Sequence, residues 1–266
     1  MNTYENTASR KSTREPAVSG RFYSSDPSGL RSEIQSFITI SQHNGFPRLI
    51  ISPHAGYIFS GSVAGKVLGM ISKSVSTVFL IGPAHHAWFN GIVVTGMQFY
   101  RTPLGDVPVA MDIIHTIRKN KLVTTHIKAE QPEHCLEVQL PFLQVILSSF
   151  SIVPILTGSC APADIAALLL PLLTDTTVVI ASSDLSHYHP YQQAHDIDNK
   201  SIETILSGDA LGFIDACGET AIRCIMILAN ELKLNPELIE YKNSYDAAPE
   251  YCSDTEVVGY GAVGYF

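Results

Sequence analysis

The chain has 266 residues, of which 45% are hydrophobic, enough to bury one large core. Its formal net charge is −8 and its lysines and arginines do not cluster, which argues against binding to nucleic acid or to an anionic lipid surface. We see no signal peptide and no apolar run of membrane-spanning length, so we expect a cytoplasmic protein that does not enter the membrane. Five irregularly placed cysteines fit neither a disulfide framework nor a paired zinc motif and are expected to be reduced.

The predicted elements begin after a polar stretch. We expect residues 1–13 to be disordered and residues 14–266 to form a single domain, in which a turn-rich segment precedes a helical pattern running to about residue 41. Apolar runs of strand length then alternate with helical patterns. The predicted strands cover residues 48–52, 76–82, 91–96, 151–158, 176–182 and 257–266. The predicted helices cover roughly residues 60–71, 112–120, 136–148, 162–173, 192–206 and 219–232.

This alternation predicts the fold class. Strands that are apolar on both faces and separated by helices predict a three-layer α/β fold, with a mostly parallel or mixed central sheet and helices on both faces. In such sheets ligands bind beyond the carboxyl ends of the strands. Polar residues directly after strands are therefore the first candidates for a functional site.

Three predicted strands are followed by chemically active side chains. The first run is followed by SPHAGY, which contains His54, and the second by GPAHH, which contains His85. The fifth is followed by SSDLSHYH, with Asp184 and His187. A lone histidine is ordinarily a solvated or hydrogen-bonded residue, but these residues share one edge of the predicted sheet. That distribution favours a metal site or an acid–base site.

Two helix starts supply further candidates. The segment EHCLEVQLPF places Glu133 and His134 at the start of a predicted helix, where Glu133 can complement the helix dipole or His134 can belong to the site. The sequence leaves both interpretations open. Cys217 precedes another predicted helix, whose dipole favours the thiolate that a metal or an electrophile requires. The other four cysteines carry no second signal and are interpreted as structural.

These motifs resemble a known family. SPHAGY, GPAHH, EHCLEVQLPF, SSDLSH and the CG pair before a helix occur in the order typical of the Memo family, also labelled AmmeMemoRadiSam system protein B. The resemblance extends from the GRFY segment to the closing GAVGYF. Memo proteins are related in fold to the class III extradiol dioxygenases, which open catechol rings with Fe(II). The resemblance implies three metal ligands, His54, His85 and Cys217, and three catalytic residues lining the same pocket, His134, Asp184 and His187.

The implied ligand set bears on the metal and the reaction. Ring-cleaving relatives use two histidines and a carboxylate, whereas here the thiol of Cys217 takes the place of the carboxylate. Soft sulfur favours copper(I) or zinc and imidazole also suits iron, so we expect a transition metal, with iron or copper ahead of zinc. The leading hypothesis is a metal-dependent redox enzyme, similar to the dioxygenases, that acts on a small molecule.

Two other functions remain open from the sequence. Animal Memo proteins are linked to phosphotyrosine signalling partners, so the resemblance also allows a non-catalytic peptide- or ligand-binding protein that uses the same pocket. The other alternative is a zinc-dependent hydrolase in which His187 or Asp184 is the base. The system label further implies a functional association with a radical-SAM enzyme. Oxygen-sensitive bound metal, peptide binding without turnover, or ester and amide cleavage would discriminate among the three functions.

Overall fold

The computed structural model describes residues 12–38 and 45–266. Residues 1–11, most of the segment expected to be disordered, lie outside the described residues, as do residues 39–44, where the first predicted helix was expected to end. Thr13 belongs to the first strand and pairs with Phe99. Every helix within the described ranges is too short or too polar to cross a membrane.

The strands of the described residues form two sheets. A small sheet contains β1 (Thr13–Arg14), β5 (Phe99–Thr102) and β6 (Gly105–Pro108). The large sheet contains β2 (Leu49–Ser52), β3 (Thr77–Pro83), β4 (Ile92–Val94), β7 (Val123–Thr124), β8 (Ser151–Thr157), β9 (Thr177–Ser182), β10 (His187–His189), β11 (Pro236–Asn243) and β12 (Val257–Tyr265).

Helices connect most of these strands. They are α1 (Pro27–Phe37), α2 (Tyr57–Leu68), α3 (Met111–Ile117), α4 (Ile127–Glu130), α5 (Leu140–Ile146), α6 (Pro162–Leu169), α7 (Tyr191–Ser207), α8 (Glu219–Leu232) and α9 (Ser244–Ala247). A 3₁₀ turn (Glu137–Gln139) precedes α5, and another (Leu170–Leu172) follows α6. Helices α1, α2 and α5 pack together, and α6 and α8 form a second group that packs on the sheet.

The large sheet is mixed, with strand order β10-β12-β2-β9-β3-β8-β4-β7, and β11 also pairs with β12. Its centre, β2-β9-β3-β8, is parallel, whereas β12 and β4 run antiparallel to their neighbours β2 and β8. Helices flank this sheet, which confirms the predicted α/β fold with a mixed sheet. Strands β2 and β9 are buried along their whole length because helices cover them, as their apolar runs predicted.

Several elements differ from the prediction. Strand β11 was not predicted, because its polar residues stay half exposed beside β12 and give no apolar run. Helix α2 begins at Tyr57, three residues earlier than predicted, because the amides of Phe59 and Ser60 already donate to the Gly56 carbonyl. Ser60 therefore lies inside the helix, where its hydroxyl donates to the Ala55 carbonyl.

Candidate functional site

The parallel centre of the sheet brings three candidate residues to one edge. His54, Asp184 and His85 each follow the end of their strand, β2, β9 or β3, by two residues. In the ladder, Ile51 lies beside Ala181, and Ala181 lies beside Ile81. Because the strands are parallel and in this register, their carboxyl ends coincide and the residues that follow them converge. His54 is buried there, with 2% of its surface exposed.

Three imidazoles form a cluster at this edge. The ring centroid of His54 lies 5.2 Å from that of His85 and 5.3 Å from that of His134, with both rings nearly perpendicular to it. His85 and His134 stack on each other with centroids 4.8 Å apart. Each of the three rings has a nitrogen within 4.8 Å of a nitrogen of the other two. Together these three nitrogens could hold a metal ion.

Glu133 anchors the imidazole of His85 and lies beside that of His134. Its Oε1 lies 3.0 Å from His85 Nδ1 and 3.2 Å from His134 Nδ1. The same oxygen accepts the backbone N–H groups of His134 and Cys135, while Oε2 accepts the N–H of His85 at 2.7 Å. With each Nδ1 facing the carboxylate, Nε2 is the nitrogen that His85 and His134 have left for a metal. Carboxylate partners of this kind orient metal-binding histidines.

Ser182 sets the tautomer of His54. The Ser182 hydroxyl donates to the Cys135 carbonyl at 2.6 Å and accepts from Gln139 Nε2 at 2.9 Å. Its only proton is thus committed, and His54 Nδ1, 3.2 Å away, must be the donor to its oxygen. The lone pair of His54 therefore lies on Nε2, which faces Cys217 Sγ at 3.3 Å.

Cys217 lies beside the cluster, directly before Gly218, the N-cap of α8. The expected bias toward thiolate is absent. Burial, reinforced by the charge of Asp184, raises the pKa of the Cys217 thiol to about 12. The desolvation of an anion outweighs the helix dipole here, so without a metal Cys217 is a thiol that can donate to His54 Nε2.

Two of the three histidines have lowered pKa values, which favours the neutral imidazole that a metal requires. Burial, together with the charge of His85, lowers the pKa of His54 to about 3. Burial and the charge of His54 lower the pKa of His134 to about 4. Burial opposes a charge on His85 as well, but the hydrogen bond and charge of Glu133 raise its pKa. Burial likewise opposes the charge of Glu133, but its hydrogen bond with His85 and its amide donors hold the Glu133 pKa well below the ordinary value.

Asp184 and His187 lie around this cluster. Asp184 is buried and accepts the backbone N–H of His54 on Oδ1 at 2.7 Å, while Oδ2 lies 3.9 Å from His54 Nε2. Burial raises the pKa of Asp184. His187 is half-buried in β10, close enough for its charge to act on the pKa values of both His54 and Asp184.

The six residues singled out from the sequence therefore meet at one edge of the sheet. The structure adds Glu133, whose sequence position also fitted a helix-dipole role, and Ser182, whose only signal was its place at the end of a buried strand. In the part of the chain that the structure describes, the side-chain groups able to hold a metal are His54/His85/His134, His85/Glu133/Cys135 and His86/Glu133/His134. Imidazoles beside a thiol suit a transition metal rather than Mg²⁺ or Ca²⁺.

Comparisons with known proteins agree with this architecture. The family described as Memo-like protein matches residues 14–264. A MEMO1 family protein of Archaeoglobus fulgidus is 32% identical over 264 residues, covering 94% of this chain and 98% of the relative. A MEMO1 family protein of Sulfolobus acidocaldarius is 32% identical over 282 residues, with coverage of 94% and 98%.

A solved structure supports the fold alone. The crystal structure of an uncharacterised protein from Escherichia coli K12 is similar with a TM-score of 0.51 at 12% identity, covering 82% of this chain and 99% of that chain. Because the family match spans nearly all of the described domain and the archaeal relatives match from end to end, the chain belongs to the Memo family.

Proposed function

We propose that this protein is a metal-dependent redox protein similar to the dioxygenases, with its ion held by His54, His85 and Cys217. One observation carries the proposal: the lone pair of His54 Nε2 faces Cys217 Sγ at 3.3 Å and belongs to the same cluster of ring nitrogens as His85. His54 and His85 share one group of ring nitrogens with His134, and Cys217 Sγ lies next to His54 on the side of its Nε2. Iron and copper are the metals that this donor set favours for redox work.

The surroundings of His54, His85 and Cys217 support their proposed role as metal ligands. His54 is anchored through Nδ1 by Ser182, and His85 is anchored through Nδ1 by Glu133, so each presents Nε2. Neighbouring groups that fix imidazoles in this way usually strengthen metal binding. The low pKa of His54 keeps its ring neutral at physiological pH, so no proton has to leave that nitrogen. Cys217 must lose its proton when it binds.

The remaining residues have separate roles in the proposal. A bound redox metal would supply Lewis-acid and one-electron chemistry at this sheet edge. His134 stacks on His85 and stays neutral because its pKa is low, so it can take a proton from a substrate. Asp184 fixes the backbone of His54, and half-buried His187 is assigned to substrate binding.

Elemental analysis of protein purified without oxygen tests the ligand set. We expect one transition-metal ion per wild-type chain and a loss of most of it in His54→Ala, His85→Ala and Cys217→Ala. His134→Ala should keep its metal, as should His115→Ala, an exposed control in α3. Full occupancy in both His54→Ala and His85→Ala would contradict the proposal. Metal loss in His134→Ala but not in Cys217→Ala would show that the third ligand is His134 and not Cys217.

A zinc-dependent hydrolase is the second candidate, and one observation favours it. His134 lies with His54 and His85 in a single group, and three histidines are a known ligand set for catalytic zinc. In that case the ion would supply an activated water, and Asp184 or His187 would accept its proton. Bound zinc together with cleavage of 4-nitrophenyl acetate, abolished in His134→Ala, would select this function. Bound iron or copper with an oxygen-dependent spectrum would select the first.

A further inference from the structure

The segment that contains GRFY, where the family resemblance begins, contributes none of the candidate metal ligands. In the structure this N-terminal segment (residues 14–23) runs from β1 past the loop that carries Glu133 and His134. We call residues 130–137 the glutamate loop. The contacts between these two stretches are buried and polar, and they reach both sides of the candidate metal centre.

Arg14 makes most of these contacts. Its side chain is 2% exposed, and its Nη1 donates to the carboxylate of fully buried Glu137 at 2.7 Å. Its Nε donates to the Glu130 carbonyl at 3.1 Å, and its Nη2 donates to the carbonyls of Gln131, at 3.2 Å, and of Glu133. One guanidinium thus fixes three carbonyls of the glutamate loop. A lysine ammonium, a compact point charge, cannot span them.

Glu137 completes the connection from the other side. Its Oε2 accepts the backbone N–H of Ala17 at 2.7 Å, and its Oε1 accepts the N–H of Val18 at 3.0 Å and the hydroxyl of Tyr23 at 2.7 Å. The N-terminal segment and the glutamate loop therefore hold each other through reciprocal hydrogen bonds. Displacement of either would leave buried charges without partners.

Phe22 extends the contact to the metal centre itself. Its ring packs edge-on against His134 with centroids 4.9 Å apart. Its carbonyl accepts the N–H of Tyr57 at 2.8 Å, the first residue of α2 and three residues after His54. The segment thus bridges the two loops that present His54 on one side and Glu133 with His134 on the other.

We propose that the N-terminal segment is a positioning element of the metal centre, in which Arg14 sets the place of Glu133 and thereby aims Nε2 of His85 and holds His134 beside it. This inference rests on the proposed metal-binding function. Arg14 touches no ligand-capable ring, so it acts only through the backbone of the glutamate loop. Its removal should change metal affinity beyond any general loss of stability.

Arg14→Lys in the full-length protein tests the inference, with Arg101→Lys as the matched control. Arg101 lies in the neighbouring strand β5, is half exposed and pairs with Glu15 and Asp106 at the surface. We expect anaerobic Co²⁺ titration to show about tenfold weaker binding in Arg14→Lys, at unchanged stoichiometry, and no change in Arg101→Lys. Hydrogen exchange should accelerate at the amides of residues 133–138, which Glu133 and the glutamate loop hold, and not in α8.

The outcomes separate the two proposals. Absence of Co²⁺, iron and copper binding in the wild type would overturn the proposed function itself. Wild-type binding with Arg14→Lys affinity within twofold of it would overturn the positioning role, even if the unfolding midpoint fell. If Arg14→Lys does not fold, Tyr23→Phe and Phe22→Leu replace it, since each removes one contact and leaves the Arg14–Glu137 pair in place. Each should weaken Co²⁺ binding two- to fivefold, and unchanged affinity in both would overturn the positioning role.

Discussion

His54 Nε2 lies 3.3 Å from Cys217 Sγ, and the two residues reach this contact from the end of β2 and the start of α8. The imidazole is neutral at physiological pH and the thiol keeps its proton, because burial lowers the pKa of His54 to about 3 and raises that of Cys217 to about 12. A metal that binds both must therefore displace the thiol proton and none from His54.

This relationship predicts a pH dependence of metal affinity. If Cys217 is a ligand, each ion that binds between pH 6 and pH 8.5 releases the proton of the Cys217 thiol. The loss of this proton should make the metal affinity rise about tenfold per pH unit. Cys217→Ser should bind more weakly and lose that part of the slope. Anaerobic metal titrations at several pH values measure this slope. The control is Cys160→Ser, because Cys160 is half-buried and contacts the Gly158 carbonyl. Identical slopes in wild type and Cys217→Ser would place the sulfur outside the ligand set.

The shared carboxylate of Glu133 gives a second prediction. Glu133→Gln keeps the shape but places an amide N–H₂ where the His85 ring and three backbone amides now meet carboxylate oxygens. His85 then loses its charged acceptor, and His134 loses the carboxylate beside its Nδ1. We expect metal affinity to fall about 10- to 100-fold. Glu219→Gln, a surface residue paired with Arg223, is the matched control and should bind normally. Equal affinity in the two variants would contradict an anchoring role for Glu133.

Burial of His54 predicts loss of stability of the metal-free protein in mild acid. Its folded-state pKa, about 3, lies below the ordinary value of 6.5, so the unfolded chain binds the proton first. The stability from neutral His54 is complete above pH 6.5 and is lost as the pH falls toward 3, at about 1.4 kcal/mol per unit.

Urea unfolding of the metal-free protein at pH 7 and pH 5 measures this loss. In His54→Gln the decrease between the two pH values should be smaller by about 2 kcal/mol, the value for one proton over 1.5 units. His115→Gln, at an exposed position of α3, should show the wild-type decrease. A full wild-type decrease in His54→Gln would mean that other groups cause the acid sensitivity.

A fourth prediction separates metal loading from chemistry. In the proposed division, His187 lies at the rim without bonding the metal, so His187→Ala should retain the ion but bind azide differently at the loaded centre. Asp184→Asn should also retain most of the metal, since Asn can still accept the His54 N–H. Elemental analysis and azide titration provide the two readouts. Metal loss in His187→Ala as large as in His54→Ala would make His187 a ligand.

The final prediction concerns metal preference. Cys217→Glu should build a site of two histidines and one carboxylate, which favours Fe(II) over copper(I) relative to the wild type. Competitive loading with both metals under anaerobic conditions measures the ratio. An unchanged ratio would show that position 217 does not contact the metal.

The sequence alone was sufficient to predict the fold class of this protein and the sheet edge that carries the candidate site. Runs such as those of β3 and β9 are mostly apolar because both faces of a central strand are buried, and this property can be read without coordinates. The fold class and the sheet edge that carries His54, His85 and Asp184 followed from it. Strand β11 was not predicted, because its half-buried polar residues form a strand only through their pairing with β12.

Only the tertiary structure decided how the site residues act on each other. His85 and Glu133 lie 48 positions apart in the chain, and Arg14 reaches Glu137 across 123 positions, so no local pattern encodes either contact. The dipole of α8 suggested a thiolate at Cys217, but burial reversed that expectation. Side-chain type and strand position are local properties, whereas desolvation and hydrogen-bond partners depend on which distant segments the fold packs together.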